Sequence, residues 1–304
     1  LAGDFQAQTY RSTIGRELLV KEAMMSAQTP QDQYIKVGDI NTRFWTSGNE
    51  GKTVILIHGI GDAVETWRPN IDVLAEHHRV YALDIVGFGH SDKPPIQPSL
   101  SFGAQFVSDF METQHIERAS VIGNSMGGGI SLQFAIQFPD KLERLVLEAP
   151  AALGKGVATF FHLFSIPIIG ELLTQPSRWG VSWLLRQVAY DPALITDDIV
   201  ELYYQLYKLP GAQRSFLSTL RAGVNCFGQR PQFVRPVVDN LGKITCPTLI
   251  IWGQQDRIIP VAHAQVAENG IPNSKLHILD SCGHEPHFER PDDFNRLVLE
   301  FLAG

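Results

Sequence analysis

The chain has 304 residues, long enough to bury a large core without disulfide or metal staples. At 44% hydrophobic and 19% charged it has the composition of a globular protein, which excludes a disordered or fibrous chain. The formal net charge of −7, with no long basic run, excludes the electrostatic footprint of a nucleic-acid binder.

Residues 1–33 read as an N-terminal helical extension, with Leu18, Leu19, Ala23 and Met24 roughly on one face. No secretory signal pattern is visible, and a cytoplasmic location is the expectation. Two strand-like runs follow, Tyr34–Val37 and Thr42–Trp45, joined by the hairpin signal Gly38-Asp39. The pattern then changes. Thr53–Ile57, Val80–Leu83, Ser120–Ile122, Leu145–Leu147, Thr248–Ile251 and Leu276–Leu279 are short apolar runs that do not alternate. Such runs predict strands buried on both faces, as in a parallel sheet. Helix-like segments at 69–77, 101–115, 127–138, 261–269 and 291–302 separate most of them. Strands alternating with helices predict a doubly wound α/β sheet.

Residues 152–238 break the alternation. They lack a convincing strand and carry helix-like stretches punctuated by Pro167, Pro176, Pro192 and Pro210. A compact domain does not hold so long a structureless loop, so a helical insertion is predicted. The core would then be 34–151 and 239–304. The apolar run from Val157 to Ile169 is interrupted by His162, Ser165 and Pro167, and is too short to span a bilayer.

Gly123-Asn124-Ser125-Met126-Gly127-Gly128 lies between a predicted strand and a predicted helix. G-x-S-x-G in that setting is a nucleophile elbow, in which a strained turn presents the serine oxygen at a helix N-terminus. Small neighbours are needed because side chains there would collide with backbone. Ser125 needs a base to take its proton. His284, in the loop after the last predicted strand, is the candidate, with His287 its neighbour and competitor. The base needs a carboxylate to fix its tautomer. Asp256 follows the strand Thr248–Ile251, and Glu148 is the rival acid. The negative oxygen formed in acyl transfer needs backbone N–H donors. Met126 supplies one, and Ile60 in His58-Gly59-Ile60-Gly61 supplies the other. His58 is read as a brace of that loop.

Cys226, Cys246 and Cys282 are far apart and in no metal spacing, which predicts free thiols and no metal site. Cys282, beside His284, is read as a packed residue. No cofactor is expected.

These residues together resemble the α/β-hydrolase superfamily over roughly 34–303. The resemblance extends to a lid-bearing branch that includes epoxide hydrolases, haloalkane dehalogenases, small esterases and meta-cleavage-product hydrolases. It is carried by His58-Gly59-Ile60-Gly61 with Trp67, by Asp84-Ile85-Val86-Gly87-Phe88-Gly89-His90-Ser91, and by Trp252-Gly253-Gln254-Gln255-Asp256. It implies the chain order Ser125, Asp256, His284, with residues 152–238 as a lid. Dehalogenases and epoxide hydrolases of this branch carry aspartate at the elbow, so Ser125 implies acyl transfer. Meta-cleavage-product hydrolases similarly read Gly-Asn-Ser-Met-Gly-Gly, and their lid resembles Asp191–Asp198. They usually carry a lid arginine for the substrate carboxylate where this chain has Tyr203-Tyr204, and tend to have Trp where it has Glu285.

The leading expectation is therefore a hydrolase of small to medium hydrophobic carboxylic esters. Carbon–carbon hydrolysis of the meta-cleavage type is the alternative. A non-catalytic ligand receptor on the same fold is a reading of another class. The lid's apolar run suggests an acyl pocket or packing of the lid on the core, with membrane-surface contact as a third reading.

Overall fold

The computed structural model describes residues 30–304. The helical reading of residues 1–29 lies outside the described residues. Gln33, assigned above to that extension, instead opens the first strand.

Strands β1 (Gln33–Val37) and β2 (Ile40–Ser47) form the expected antiparallel hairpin. Gly38 turns it at φ +59, a left-handed conformation that glycine adopts without steric cost. The alternation follows as β3 (Thr53–Ile57), α1 (Arg68–Ala75), β4 (Arg79–Leu83), α2 (Leu100–Thr113), β5 (Ala119–Asn124), α3 (Met126–Gln137) and β6 (Leu142–Glu148). The lid-like region contributes α4 (Thr159–Phe164), α5 (Ile169–Leu173), α6 (Arg178–Val188), α7 (Asp197–Tyr207), α8 (Ala212–Gly223), a hairpin of β7 (Val224–Asn225) and β8 (Gly228–Gln229), and α9 (Pro231–Val238). The chain closes with β9 (Thr248–Gly253), α10 (Ala264–Gly270), β10 (Ser274–Leu279), α11 (Pro286–Glu289) and α12 (Pro291–Ala303).

Eight strands form one sheet in the order β1-β2-β4-β3-β5-β6-β9-β10. Pairs from β4 through β3, β5, β6 and β9 to β10 are parallel, while β1–β2 and β2–β4 are antiparallel. The fold is the largely parallel, helix-flanked sheet that the strand pattern predicts.

The uniform apolar runs are explained by the two faces. Val54 and Leu56 of β3 pack with Trp67, Ile71, Leu74 and Phe294 on one side. Ile55 and Ile57 pack with Phe110, Ile130 and Leu147 on the other. Each fully buried aliphatic side chain contributes about 1.5–3 kcal/mol of transfer free energy. The β7–β8 hairpin was not expected. Two-residue strands carry no hydrophobic period. Phe227 N–H donates to Asn225 Oδ1 at 2.8 Å in the turn, and Gln229 Oε1 accepts from Ala152 N at 2.8 Å.

A buried ion network braces the loops above the sheet. Arg43 is 2% exposed; its Nε lies 2.5 Å from Asp84 Oδ2, and its terminal nitrogens donate to Glu65 at 2.9 and 2.7 Å. Asp84 also accepts from Val64 N at 2.8 Å and His90 N at 2.7 Å. Gly89, at φ +51, leaves room for this carboxylate: a Cβ there would sit 2.0 Å from Asp84 Oδ2. Asp84 therefore holds structure. Asp84→Ala leaves a buried guanidinium short of a partner and is expected to cost about 3–5 kcal/mol. Urea unfolding checks this, and a loss under about 1 kcal/mol would contradict it.

Candidate active site

Chain order reverses at β3. The chain runs from β3 to β4 on one side, and β5 lies on the other. Ligands of open α/β sheets bind beyond the strand C-termini at such a switch point. The two loops that meet there follow β3 (His58–Asp62) and β5 (the Ser125 turn).

Ser125 is held at φ +53 and ψ −115, where a non-glycine residue is strained. Its neighbours explain the turn. A Cβ on Gly123 would lie 2.3 Å from Ser131 Oγ, and one on Gly127 would lie 2.2 Å from Ile57 O. Ser125 N–H donates to Glu148 O at 2.9 Å, and Ser125 O accepts from Gly129 N and Ala151 N. Met126 begins α3, whose first-turn N–H groups have no partner within the helix. Gly59 lets the β3 loop approach closely: a Cβ there would be 3.4 Å from Ser125 Cβ. Ile60, Ser125 and Met126 line one cavity. His58 braces this loop, its Nδ1 2.7 Å from Gly59 O and its Nε2 accepting from Ile85 N at 3.1 Å.

The structure brings His284 and Asp256 together, with Nδ1 2.8 Å from Oδ2. Asp256 is oriented by three more donors: Ile258 N, Ile259 N and Trp252 Nε1, at 2.8, 3.0 and 3.0 Å. His284 Nε2 is buried and hydrogen-bonds no described group. The carbonyl of His284 accepts from Asn124 Nδ2 at 3.1 Å, which ties its loop to the residue before Ser125. Burial lowers the imidazole pKa, but the Asp256 carboxylate, with smaller contributions from Glu148 and Glu289, more than offsets it. The pKa of His284 lies above its ordinary value.

The rival acid and the rival base turn out to be each other's partner. His287 Nδ1 lies 2.8 Å from Glu148 Oε2, and its Nε2 lies 2.7 Å from Thr66 Oγ1. Both ring nitrogens are engaged and both side chains are fully buried, so the pair packs the body. Cys282 is also buried. Burial, then the carboxylates of Glu289 and Glu148, pushes its thiol far above the usual range, so it is no thiolate nucleophile.

Two groups in this region, Glu289 and Asp62, were not singled out from sequence. Glu289 accepts from Gly283 N at 3.0 Å, Glu285 N at 3.2 Å and Tyr190 N at 2.6 Å. Burial raises its carboxyl, these N–H donors lower it, and its pKa lies at about 7. Asp62 follows the Gly59-Ile60-Gly61 turn and accepts a short hydrogen bond from the Tyr203 hydroxyl. Burial, then the charge of Asp62, raises both Tyr203 and the neighbouring Glu285 well above their ordinary values. In sequence, Tyr203-Tyr204 shows only as the region where an arginine is missing; the donation of the Tyr203 hydroxyl to a carboxylate is not visible there. The signals were faint, since Asp62 adjoins a glycine turn and Glu289 lies five residues after the histidine.

Two apolar cavities occupy the space between sheet and lid. One, of about 280 Å³, holds Ser125 with Leu100, Phe161 and Phe233. The other, of about 350 Å³, is lined by Asp62, Phe160, Trp179, Tyr207 and Phe216. They adjoin at Gly87 and Phe88. Among the described residues no cluster of His, Cys, Asp and Glu could hold a metal ion, and no helix is long and apolar enough to cross a membrane.

Residues 54–297 match the alpha/beta hydrolase family. A 2-hydroxy-6-oxononadienedioate/2-hydroxy-6-oxononatrienedioate hydrolase of Comamonas testosteroni is 31% identical over 262 residues, covering 84% of this chain and 89% of the relative. A 2-hydroxy-6-oxo-6-phenylhexa-2,4-dienoate hydrolase of the same organism is 31% identical over 265 residues, covering 85% and 90%. The crystal structure of a meta-cleavage-product hydrolase of Pseudomonas fluorescens superposes with a TM-score of 0.77 at 30% identity, covering 89% of this chain and 97% of that one. These relatives shift the balance from simple esterases, the leading expectation from sequence, toward meta-cleavage-product hydrolases. Fold and relatives together mark a serine-hydrolase-type enzyme. The chain belongs to the alpha/beta hydrolase family.

Proposed function

We propose that Ser125, His284 and Asp256 form a catalytic triad that hydrolyses a carbon–carbon bond next to a ketone, the chemistry that the resemblance to meta-cleavage-product hydrolases implies; the similar Comamonas enzymes are named as hydrolases of 6-oxo-dienoates. One observation carries the triad: Asp256 grips Nδ1 of His284 and leaves a buried Nε2 unengaged among the described residues. In this reading His284 takes the Ser125 proton as the oxygen attacks the carbonyl. The N–H groups of Ile60 and Met126 hold the oxyanion. Collapse expels a carbanion equivalent, which the His284 imidazolium protonates. Water, deprotonated in turn by His284, then releases the acid from Ser125. Residues 152–238 act as the lid, and the apolar cavities accept a small hydrophobic substrate. No cofactor takes part in these steps.

A second reading, ester hydrolysis by the same residues, is favoured by one feature. The resemblance to meta-cleavage-product hydrolases places their carboxylate-binding arginine in the region of Tyr203-Tyr204, and here Tyr203 donates to Asp62 with Glu285 nearby. An acid-rich end suits an uncharged substrate better than a dienoate. The test compares loss of the yellow colour of 2-hydroxy-6-oxo-6-phenylhexa-2,4-dienoate with p-nitrophenyl butyrate turnover. The dienoate is expected to be consumed, with no consumption by Ser125→Ala. A kcat/KM for the ester more than about tenfold higher would replace the first reading by the second.

A further inference from the structure

The described surface carries twelve exposed large hydrophobic side chains, and eight of them fall between residues 163 and 190. Ile168, Leu172 and Trp179 are the most open of these, at 74%, 65% and 79%. Such concentration is unlike the scattered apolar residues of an ordinary surface and marks a contact site. The patch lies on α4, α5 and α6 and continues inward. Leu163, Leu173, Trp179 and Trp183 are exposed, yet they also line the 350 Å³ cavity. An apolar molecule can pass from the patch into the cavity without leaving apolar surroundings.

We propose that this face of the lid seats on a lipid surface, from which the cavity behind it receives an apolar chain. The charges favour lipid over a second copy of this acidic chain. Residues 159–190 hold Arg178 and Arg186 against one carboxylate, Glu171; Arg178 is paired with Glu201 of α7 at 2.7 Å, and Arg186 has no ion pair among the described residues. Glu171 is turned to Arg221 at 2.7 Å. Residues 152–238 as a whole hold eight Lys and Arg against five Asp and Glu, whereas the full chain holds 25 against 32. The lid is thus the segment drawn toward an anionic surface. Tryptophan at the edge of such a patch suits the bilayer interface, where its ring is half in apolar and half in wet surroundings. An apolar helix face flanked by arginine binds there by buried area plus attraction to anionic lipid.

Seating on lipid does not depend on the proposed chemistry and is tested without it. The full chain, native and Ser125→Ala, is floated with vesicles of phosphatidylcholine alone and of phosphatidylcholine with phosphatidylglycerol. Both proteins are expected to float, more strongly with the anionic vesicles. Trp emission should shift to shorter wavelength, because Trp45, Trp67 and Trp252 are already buried and Trp179 is the open reporter. The double variant Ile168→Ser/Leu172→Ser changes side chains that already face water and do not line the cavity. It is expected to keep its circular dichroism and its turnover of a water-dissolved substrate, and to lose about tenfold or more in vesicle partition. Failure of the native chain to float, or undiminished flotation of the variant, would overturn the proposal. So would a native dimer in sedimentation velocity that the variant converts to monomer, since the patch would then join two copies.

Discussion

Replacing Ser125 by alanine should lower kcat by roughly 10⁶-fold while leaving the protein folded and KM nearly unchanged. At 1.36 kcal/mol per tenfold, that is about 8 kcal/mol of transition-state stabilisation removed. The size follows from the role. In the proposed mechanism, loss of Oγ removes the acyl-enzyme and leaves His284 no proton to take. Folding should survive because only one oxygen is removed, and the strained turn is held by other groups. Ser125 N–H still donates to Glu148 O, and its carbonyl still accepts from Gly129 and Ala151. Binding should survive because the cavity around it is built from apolar side chains such as Leu100 and Phe161. Single-turnover kinetics and loss of fluorophosphonate labelling measure the effect. Turnover within tenfold of the native chain would remove Ser125 from the mechanism.

Asp256→Asn should cost about 10⁴-fold in kcat, because an amide can present a donor to His284 Nδ1 and so fix the wrong tautomer. With the proton moved to Nε2, the ring cannot accept from Ser125. The same substitution should move the pH profile. Burial pushes the His284 pKa down, but Asp256 lifts it above the ordinary 6.5. The base works only when neutral, so kcat/KM of the native enzyme should be lost as pH falls, with its midpoint above 6.5. Removing the Asp256 charge leaves burial opposed only by the smaller contributions of Glu148 and Glu289, so the residual activity should show a midpoint at lower pH. The stability sign runs the other way: the His284–Asp256 contribution is full at pH below the unfolded histidine pKa and is lost as pH rises through the raised folded value. An acid limb that stays in place in Asp256→Asn would assign the titration to another group. Glu289, with its pKa at about 7, is the one to examine next.

Much of this architecture is legible from residues alone. Runs such as Thr53–Ile57 are uniformly apolar because both sheet faces are covered, and that pattern survives in sequence. The elbow is legible because its glycines are forced by contacts near 2 Å, leaving few alternatives. His284 and Asp256 are legible through their places after strands. Other features depend on contacts between distant segments, which no local pattern records. That Glu148 and His287 pair with each other requires β6 and α11 to meet across 139 positions. The Tyr203–Asp62 bond spans 141 positions, and neither residue's neighbours hint at it. The β7–β8 hairpin escapes because two residues cannot display a period. The face presented by α4–α6 is read in sequence as an apolar run with pocket, packing and membrane-contact readings all open, since periodicity cannot distinguish side chains that cover a cavity from those that look outward.

The lid segment Val188–Tyr190 does more than close the top of the molecule. Val188 O accepts the N–H of His284 at 3.0 Å, and Tyr190 N–H donates to Glu289, whose other oxygen holds Gly283 and Glu285. The histidine loop therefore hangs partly from the lid itself. Lifting that segment would withdraw an acceptor from His284 and a donor from Glu289 in the same movement. In the proposed mechanism, a lid raised to admit substrate would slacken the histidine loop, and a seated lid would restore its contacts with Val188 and Tyr190.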